Sequence, residues 1–161
     1  MNTHEIQKIN PDEVYALEEM TFQAIYVPEW YGPLSRNVLN EPGIKAYYDN
    51  FGKEGDICFV ATVDGAIIGA AWTRILDGNP KGYGNIGKGV PEFAVSLLPP
   101  YRNQGIGTAL MQRLIAELKA QSYAEASLSV TKENYAVKMY LKLGFEVTAE
   151  NKDDYIMVIK L

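Results

Sequence analysis

The bulk composition is that of an ordinary folded protein. The chain has 161 residues, of which 47% are hydrophobic and 22% are charged, a balance that predicts one globular domain over residues 1–161. No apolar run reaches membrane-spanning length, and the first residues lack the basic and then apolar order of a signal peptide. We therefore expect a cytoplasmic protein with no membrane partner.

Charge and the rare reactive residues exclude further classes. The net charge is −5, with ten acids against four bases in residues 1–60 and ten acids against eleven bases in residues 61–161. An acidic total argues against a nucleic-acid partner, while the acids of the first part are either solvated surface or an attraction for cationic substrates. With one histidine and one cysteine, Cys58, no metal site is expected. Cys58 has apolar neighbours and is expected to be a buried structural thiol.

The first half of the chain carries clear strand and helix signals. A strand is predicted over residues 3–9 and a helix from Pro11 to about Ala24, preceded by an asparagine suited to cap it. Strands at 57–63 and 66–75 are rich in apolar and β-branched residues. The Asp-Gly dipeptide between them is a strong hairpin signal, so the two strands are predicted to pair antiparallel.

Between the first helix and that hairpin lies an aromatic segment. Residues 26–51 combine several tyrosines and a tryptophan with three prolines, which favours loops and one or two short helices. Its adjacent aromatic pair, Trp30 and Tyr31, is a candidate substrate-binding surface.

The second half adds the remaining elements. Strands are predicted at 92–98, 127–130, 145–147 and 155–159, and helices at 105–121 and 134–143. Gly144 is suited to end the second of these helices. The whole pattern predicts an α/β fold with a mixed, mostly antiparallel sheet and helices on both faces.

The glycine-rich loop at 77–91 imitates two nucleotide-binding motifs. Gly82, Gly84 and Gly87 have the spacing of a dinucleotide fingerprint, and part of a phosphate-loop string overlaps them. However, Gly89 stands where that string needs serine or threonine, and the segment leads into a strand, whereas both motifs require a helix. It is interpreted as a flexible loop beside the substrate site.

A better anion site lies at residues 102–107, with the sequence Arg-Asn-Gln-Gly-Ile-Gly, between an apolar strand and an amphipathic helix. Gly105 and Gly107 allow the backbone to approach a ligand without Cβ clashes. The first-turn N–H groups have no partner within the helix and point outward at the positive end of its dipole. The segment predicts a pyrophosphate site; a plain strand-to-helix turn is the alternative.

A second block follows about thirty residues later. Its members are Asn134, Ala136, Tyr140, Lys142, Gly144 and Phe145. The two blocks, in this order, resemble the coenzyme A loop and the following Asn-x-Ala-x-x-x-Tyr-x-Lys-x-Gly-Phe segment of the GNAT acetyltransferase superfamily. The resemblance covers about residues 92–147. It implies the GNAT fold and acetyl-CoA as cosubstrate.

The resemblance also implies which residues hold acetyl-CoA. The loop would bind the pyrophosphate through the amides of Gln104, Gly105, Ile106, Gly107 and Thr108. Arg102 or Asn103 would add side-chain contacts. The preceding strand would offer backbone groups to the pantetheine arm at Val95, Ser96 and Leu97. Asn134 would hydrogen-bond the same arm, cap the last helix, or do both.

The chemistry implied is direct attack of an amine on the thioester, without a covalent enzyme intermediate. Tyr140 would place a hydroxyl near the thioester sulfur; a core tyrosine is the alternative. Glu92 is a candidate base acting through water, and equally a solvated carboxylate at the strand entrance. Ser129 stands where some relatives carry a glutamate, and a hydroxyl is too weak a base to act alone.

The acceptor is the least specified part. An acidic and aromatic first half favours a small cationic amine as substrate. A protein acetyltransferase acting on an N-terminus or a lysine is one alternative, and a non-catalytic module that binds acyl-CoA is another. The sequence leaves a homodimer open.

Overall fold

The computed structural model describes residues 3–161, and within them seven strands and four α-helices form. The strands are β1 (Glu5–Lys8), β2 (Ile57–Val63), β3 (Ala66–Ile75), β4 (Pro91–Leu97), β5 (Glu125–Thr131), β6 (Glu146–Glu150) and β7 (Asp154–Lys160). The helices are α1 (Ala16–Ala24), α2 (Pro42–Lys45), α3 (Ile106–Ala120) and α4 (Ala136–Leu143).

The strands make one sheet in the order β1-β2-β3-β4-β5-β7-β6. Within residues 3–161, each pair of neighbouring strands is antiparallel, except that β4 runs parallel to β5. The predicted mixed, mostly antiparallel α/β fold is therefore confirmed.

Alternation of side chains along β2 divides the core into two layers. Ile57 and Phe59 face the layer that holds α3 and α4, whereas Cys58 and Val60 face the layer that holds α1. Helices thus cover both faces of the sheet. Cys58 is 4% exposed, and burial raises the pKa of its thiol, as expected for a structural cysteine.

The sheet opens between β4 and β5. These two strands meet only at the start of β4, where Glu92 stands beside Ser127. Further along, β4 continues its ladder with β3 alone and β5 continues its ladder with β7. One edge of each strand is thereby left facing a gap.

Several boundaries differ from the sequence prediction. The first helical segment begins as a 3-10 turn at Pro11–Glu13, and α1 starts only at Ala16. β6 extends to Glu150 although all its residues are exposed, because its pairing comes from the backbone of β7 at the sheet edge. No helix among the described residues is long and apolar enough to cross a membrane.

Candidate active site

A cleft of about 1080 Å³ occupies the gap between β4 and β5. Its walls include the end of α1 with the segment that follows, the loop before α3 and the start of α4. Because β4 lines it from Glu92 to Leu97, the cleft extends roughly 16 Å along that strand. Gly105 and Gly107 border it near the end of β4, and Tyr47 and Glu92 border it near the beginning.

The turn into α3 has the geometry of an anion cradle. Gly105 is the N-cap residue with φ +84°, a left-handed conformation that favours glycine. The first α-helical bond runs from the Ala109 N–H to the Gly105 carbonyl at 3.1 Å, so the amides of residues 106–108 have no acceptor within the helix. A Cβ placed on Gly105 would meet nothing within 4 Å. Gly105, Gly107 and Thr108 border the cleft, so a phosphate in the cleft can approach this turn.

Arg102 faces the protein rather than that open space. Its Nε donates to the Leu97 carbonyl at 3.1 Å, and its Nη2 donates to Oε1 of Gln23 at 2.9 Å. The guanidinium thus fastens the end of β4 to the end of α1. Its charge still borders the cleft, where it favours an anion.

The side chains of Gln104 and Ile106 also point away from the anion cradle, so the backbone amides form it. Gln104 donates to the Pro100 carbonyl at 3.0 Å and does not line the cleft. Ile106 is 3% exposed and packs in the core, so only its amide is available. Asn103, with φ +62°, and Thr108 border the cleft.

The alternating direction of backbone N–H and C=O groups along β4 determines which residues face the gap. The Leu98 N–H donates to the Ile68 carbonyl of the β3 side at 2.8 Å. Because antiparallel partners alternate along a strand, Val95 and Leu97 direct their N–H and C=O groups into the gap, and Ser96 directs its own toward β3. The Ser96 hydroxyl donates to the Met20 carbonyl at 2.6 Å. Ser96 therefore holds α1, while Val95 offers both backbone groups to a ligand.

Asn134 caps a helix and also borders the cleft. Its Oδ1 accepts the Ala136 N–H at 2.9 Å and so caps α4. The residue also borders the cleft, and capping leaves its amide nitrogen free to donate.

Tyr140 is likewise both packed and accessible to a ligand. It is 8% exposed and meets Phe145 edge-to-face, with ring centroids 5.7 Å apart. It also borders the cleft, and none of the side-chain hydrogen bonds within residues 3–161 involves its hydroxyl. Burial raises the pKa of the phenol, so the group stays protonated.

Glu92 is buried, not solvated. The residue borders the cleft but is only 2% exposed. Tyr47 donates its hydroxyl proton to Oε2, and Oε1 has no hydrogen-bond partner among the residues described. Burial raises the pKa of this carboxyl to about 7, against smaller opposing effects of the Tyr47 hydroxyl and the Gly84 amide. A carboxyl that titrates near neutrality is suited to act as a base.

Tyr47 was not singled out by the sequence. Its oxygen accepts the Tyr83 N–H at 2.9 Å, and the two rings stack with centroids 6.3 Å apart. Tyr47 belongs to the aromatic segment, but no local pattern distinguishes it from its neighbours. Only the sheet brings it to Glu92, which lies 45 residues further along the chain.

The glycine-rich loop is docked against the site. The Ser127 hydroxyl donates to the Gly84 carbonyl at 2.7 Å, and the Gly82 N–H donates to the Leu76 carbonyl at 2.9 Å. A Cβ on Gly84 would lie 2.6 Å from the carbonyl carbon of Leu128. The sequence predicted a flexible loop here. The structure instead shows a docked loop whose glycines permit close packing over Glu92.

The lining that comes from residues 25–47 and Tyr83 is mostly apolar and aromatic. It includes Tyr26, Val27, Pro33, Leu34, Ile44 and Tyr83. None of the acids in residues 3–60 borders the cleft; the acids that do are Glu92 and Asp154. Trp30 and Tyr31 are 82% and 60% exposed and lie outside the lining, in contrast to their expected role.

The arrangement suits acyl transfer. An open amide cradle, an unpaired strand edge, a buried carboxyl and a phenol share one cleft, and these are the kinds of group that anion binding, carbonyl polarisation, proton removal and leaving-group stabilisation use. Within residues 3–161 no three histidine, cysteine or acidic side chains come together to hold a metal ion.

Comparison with known sequences also indicates an acyltransferase. The family model described as "Acetyltransferase (GNAT) family" matches residues 20–145. An N-alpha-acetyltransferase of Sulfurisphaera tokodaii is 35% identical over 114 residues, covering 64% of this chain and 68% of that protein. An N-alpha-acetyltransferase of Saccharolobus solfataricus is 30% identical over 140 residues, covering 75% and 81%.

Solved structures share the fold. The PaiA N-acetyltransferase of Thermoplasma acidophilum in complex with coenzyme A superposes with a TM-score of 0.65 at 22% identity, covering 99% of both chains. The ribosomal-protein-S18-alanine N-acetyltransferase of Escherichia coli gives 0.67 at 20% identity, covering 98% of this chain and 94% of that chain. The chain belongs to the GNAT acetyltransferase family and is an acetyl-CoA-dependent N-acetyltransferase.

Proposed function

We propose that this enzyme acetylates the α-amino group of a peptide or protein. The observation that carries the proposal is that Glu92 is the buried acid of a cleft whose lining from residues 25–47 is mostly apolar. Such a pocket can receive one amine together with the apolar group attached to it.

The lining supports one amine rather than several. Burying an ammonium group without a partner costs several kcal/mol, and Glu92 and Asp154 are the acids that line the cleft. A polyamine-like acceptor would place further ammonium groups against apolar lining such as Val27, Leu34 and Ile44, and the described lining offers no acid other than Glu92 and Asp154 to neutralise them. An α-amine on an apolar residue avoids this cost.

The pKa of the acceptor also favours an α-amine. An α-ammonium group titrates near 8, so forming the neutral amine that can attack costs roughly 1.4 kcal/mol at pH 7. An alkyl ammonium such as that of lysine titrates near 10.4, and forming its neutral amine costs roughly 4.6 kcal/mol. The difference favours α-amines over lysine side chains.

The relatives described above support the same assignment, since both curated proteins are named N-alpha-acetyltransferases. The small cationic amine favoured by the sequence has less support. The acids of the first sixty residues lie outside the cleft, and some are paired there, as Glu19 is with Arg36 and Asp56 with Arg74.

The residues then have the following roles. Acetyl-CoA supplies the thioester that the amine attacks. The amides of residues 106–108 hold its pyrophosphate, and Asn134 and the β4 edge hold its pantetheine arm. The Val95 N–H donates to the carbonyl oxygen as negative charge develops, a contact typically worth ~3 kcal/mol. Glu92 takes up the amine proton, and Tyr140 donates a hydrogen bond to the departing sulfur.

The test is a comparison of acceptors. The value of kcat/KM is measured with acetyl-CoA and three acceptors: a peptide with a free N-terminus and no lysine, the same peptide with a blocked N-terminus and one lysine, and spermidine. We expect the free N-terminus to be preferred at least 100-fold. A preference for spermidine or for the lysine peptide would refute the proposed acceptor while leaving the acetyltransferase intact.

A further inference from the structure

The carboxyl of Glu92 is closed to direct contact with an acceptor. Oε2 is occupied by the Tyr47 hydroxyl, and Oε1 is a fully buried atom. A Cβ on Gly82 would overlap Oε1, which shows how tightly the glycine-rich loop covers that side. A base at this position needs an intermediary to receive a proton from the cleft.

Tyr47 is the group placed to be that intermediary. It borders the cleft and is partly exposed, whereas Glu92 behind it is 2% exposed. Its hydroxyl already donates to Glu92, so the oxygen lone pairs point away from the carboxyl. The Tyr83 N–H occupies one acceptor position at 2.9 Å, and a phenolic oxygen can accept a second hydrogen.

The backbone around Tyr47 is held by β3, which keeps the hydroxyl in place. The Trp72 indole donates to the Tyr47 carbonyl at 2.9 Å. Two residues along the same strand, Arg74 donates to the carbonyls of Ala46 and Asp49 at 3.0 and 2.7 Å. Arg74 is itself fixed by a buried ion pair with Asp56 at 3.1 Å. Such anchoring is what a group that must not reorganise during proton transfer requires.

We propose that Tyr47 accepts the proton of the attacking amine while passing its own hydroxyl proton to Glu92. As the N–C bond to the acetyl group forms, the N–H proton moves to the Tyr47 oxygen and the phenolic proton moves to Oε2. The C–S bond then breaks, and its electron pair leaves with the coenzyme A sulfur. Tyr47 is neutral before and after, and Glu92 ends as the carboxylic acid, which returns its proton to solvent by the same route after product leaves.

The inference rests on the proposed role of Glu92 as base and is independent of which amine is the acceptor. A different role for Tyr47 makes different predictions. If the hydroxyl only positions the carboxyl and lowers its pKa, a phenylalanine in its place delays ionisation of Glu92 but leaves a competent base at high pH.

The test uses three variants of the full chain: Tyr47→Phe, Glu92→Gln and, as a matched control, Tyr48→Phe. Tyr48 belongs to the same segment, and its hydroxyl donates to the Leu39 carbonyl instead. Single-turnover acetylation rates are measured from pH 5.5 to 10 at saturating acetyl-CoA, with thermal unfolding to verify folding. The dependence of the rate on the deuterium fraction, in mixtures of H₂O and D₂O, shows whether one or more than one proton moves in the rate-limiting step.

The relay predicts a rate at least 30-fold lower for Tyr47→Phe on the high-pH plateau, with Tyr48→Phe at the wild-type rate. It also predicts a curved dependence on deuterium fraction in the wild type and a linear one in Tyr47→Phe. A Tyr47→Phe variant that regains the wild-type plateau at high pH, while Glu92→Gln stays slow, would overturn the relay alone. A Glu92→Gln variant at the wild-type rate would overturn the base assignment and the relay with it.

Discussion

A carboxyl buried as deeply as that of Glu92 costs the native state free energy when it ionises. The native pKa of about 7 lies above the ordinary value of 4.5, so the protonated acid is the form that the fold favours. The associated stability is fully present below pH 4.5 and is lost as the pH rises through 7. An ionised carboxylate at this position therefore lowers the stability of the fold.

This cost is measurable as a pH-dependent stability difference. Relative to Glu92→Gln, which cannot ionise, the wild type should lose about 3 kcal/mol of unfolding free energy between pH 4 and pH 8. Urea denaturation of the two proteins across this range provides the comparison. Parallel pH profiles would mean that Glu92 titrates as an ordinary exposed carboxyl.

Tyr140 can be tested at the same scale. A model phenol titrates near 10 and a model thiol near 8.5, so full proton transfer to the thiolate is uphill by about 2 kcal/mol, and burial increases the gap. The role that we propose for the hydroxyl is therefore to donate a hydrogen bond to the departing sulfur. Tyr140→Phe should lower kcat by ~10²-fold or more, with acetyl-CoA affinity and thermal stability nearly unchanged.

Tyr123→Phe is the matched control for that variant, because Tyr123 packs against the same core but does not border the cleft. The measurement is steady-state kinetics with an acceptor whose chemical step is rate-limiting. A Tyr140→Phe enzyme with wild-type kcat, or one that loses stability in proportion to activity, would make Tyr140 a core residue only.

The cradle is best tested at Gly107, because Gly105 has a positive φ and would be strained by any side chain. A Cβ on Gly107 would make only ordinary contacts, at 3.8 Å from the side chains of Leu97 and Met139. Gly107→Val should therefore fold, yet fill space in front of the amides and weaken coenzyme A binding at least tenfold, about 1.4 kcal/mol. Calorimetric titration measures this, with Ala120→Val at the other end of α3 as control. An unchanged Kd in the folded variant would contradict the assignment.

At the scale of elements, the docked glycine-rich loop makes its own prediction. The Cβ of Gly84→Ala would lie 2.6 to 2.7 Å from backbone atoms of Leu128 and Ser129, so the loop must move away from β5. We expect a loss of about 1–3 kcal/mol in unfolding free energy. Gly78→Ala, in the same loop but with open space around it, should change stability little. Equal effects of the two substitutions would show that the loop is not packed at Gly84.

Elements were predictable where local chemistry determines them. Asp64 and Gly65 both adopt positive φ, at +50° and +81°, as the two-residue hairpin turn requires, and the flanking strands β2 and β3 begin and end where predicted. The turn before α3 was predictable for a similar reason, because Gly105 and Gly107 at a helix start are typical of a backbone that approaches an anion. β6 was underestimated because an exposed edge strand shows no apolar alternation.

The site was only partly predictable, for a physical reason. Burial of Glu92 depends on the docking of a loop and of an aromatic segment that precede it in the chain, and neither packing is encoded in the spacing of residues near Glu92. The charge at Arg74, inside an apolar strand, was a usable signal, since a buried cation needs partners such as Asp56. Trp30 and Tyr31 illustrate the converse, because aromatic composition alone does not distinguish the cleft from the surface.

At the scale of the whole molecule, the acidic character of the first sixty residues is separate from the lining of the cleft. The sequence alone did not distinguish the two. The first sixty residues are acidic, but the part of them that lines the cleft, near Val27 and Leu34, is apolar. The acids of residues 3–60 thus lie outside the cleft, and the acceptor that we propose rests on the few groups that line it.

The most direct measurement is to locate the acetyl group on a peptide that offers both an α-amine and one internal lysine. The enzyme, acetyl-CoA and this peptide are incubated at pH 7.5, and fragment-ion mass spectrometry assigns the modified nitrogen. The cleft geometry and the lower pKa of the α-amine predict acetylation of the α-amine, with the lysine modified at least 100-fold more slowly. Acetylation of the lysine first, or of neither group while a polyamine is modified, would contradict the account.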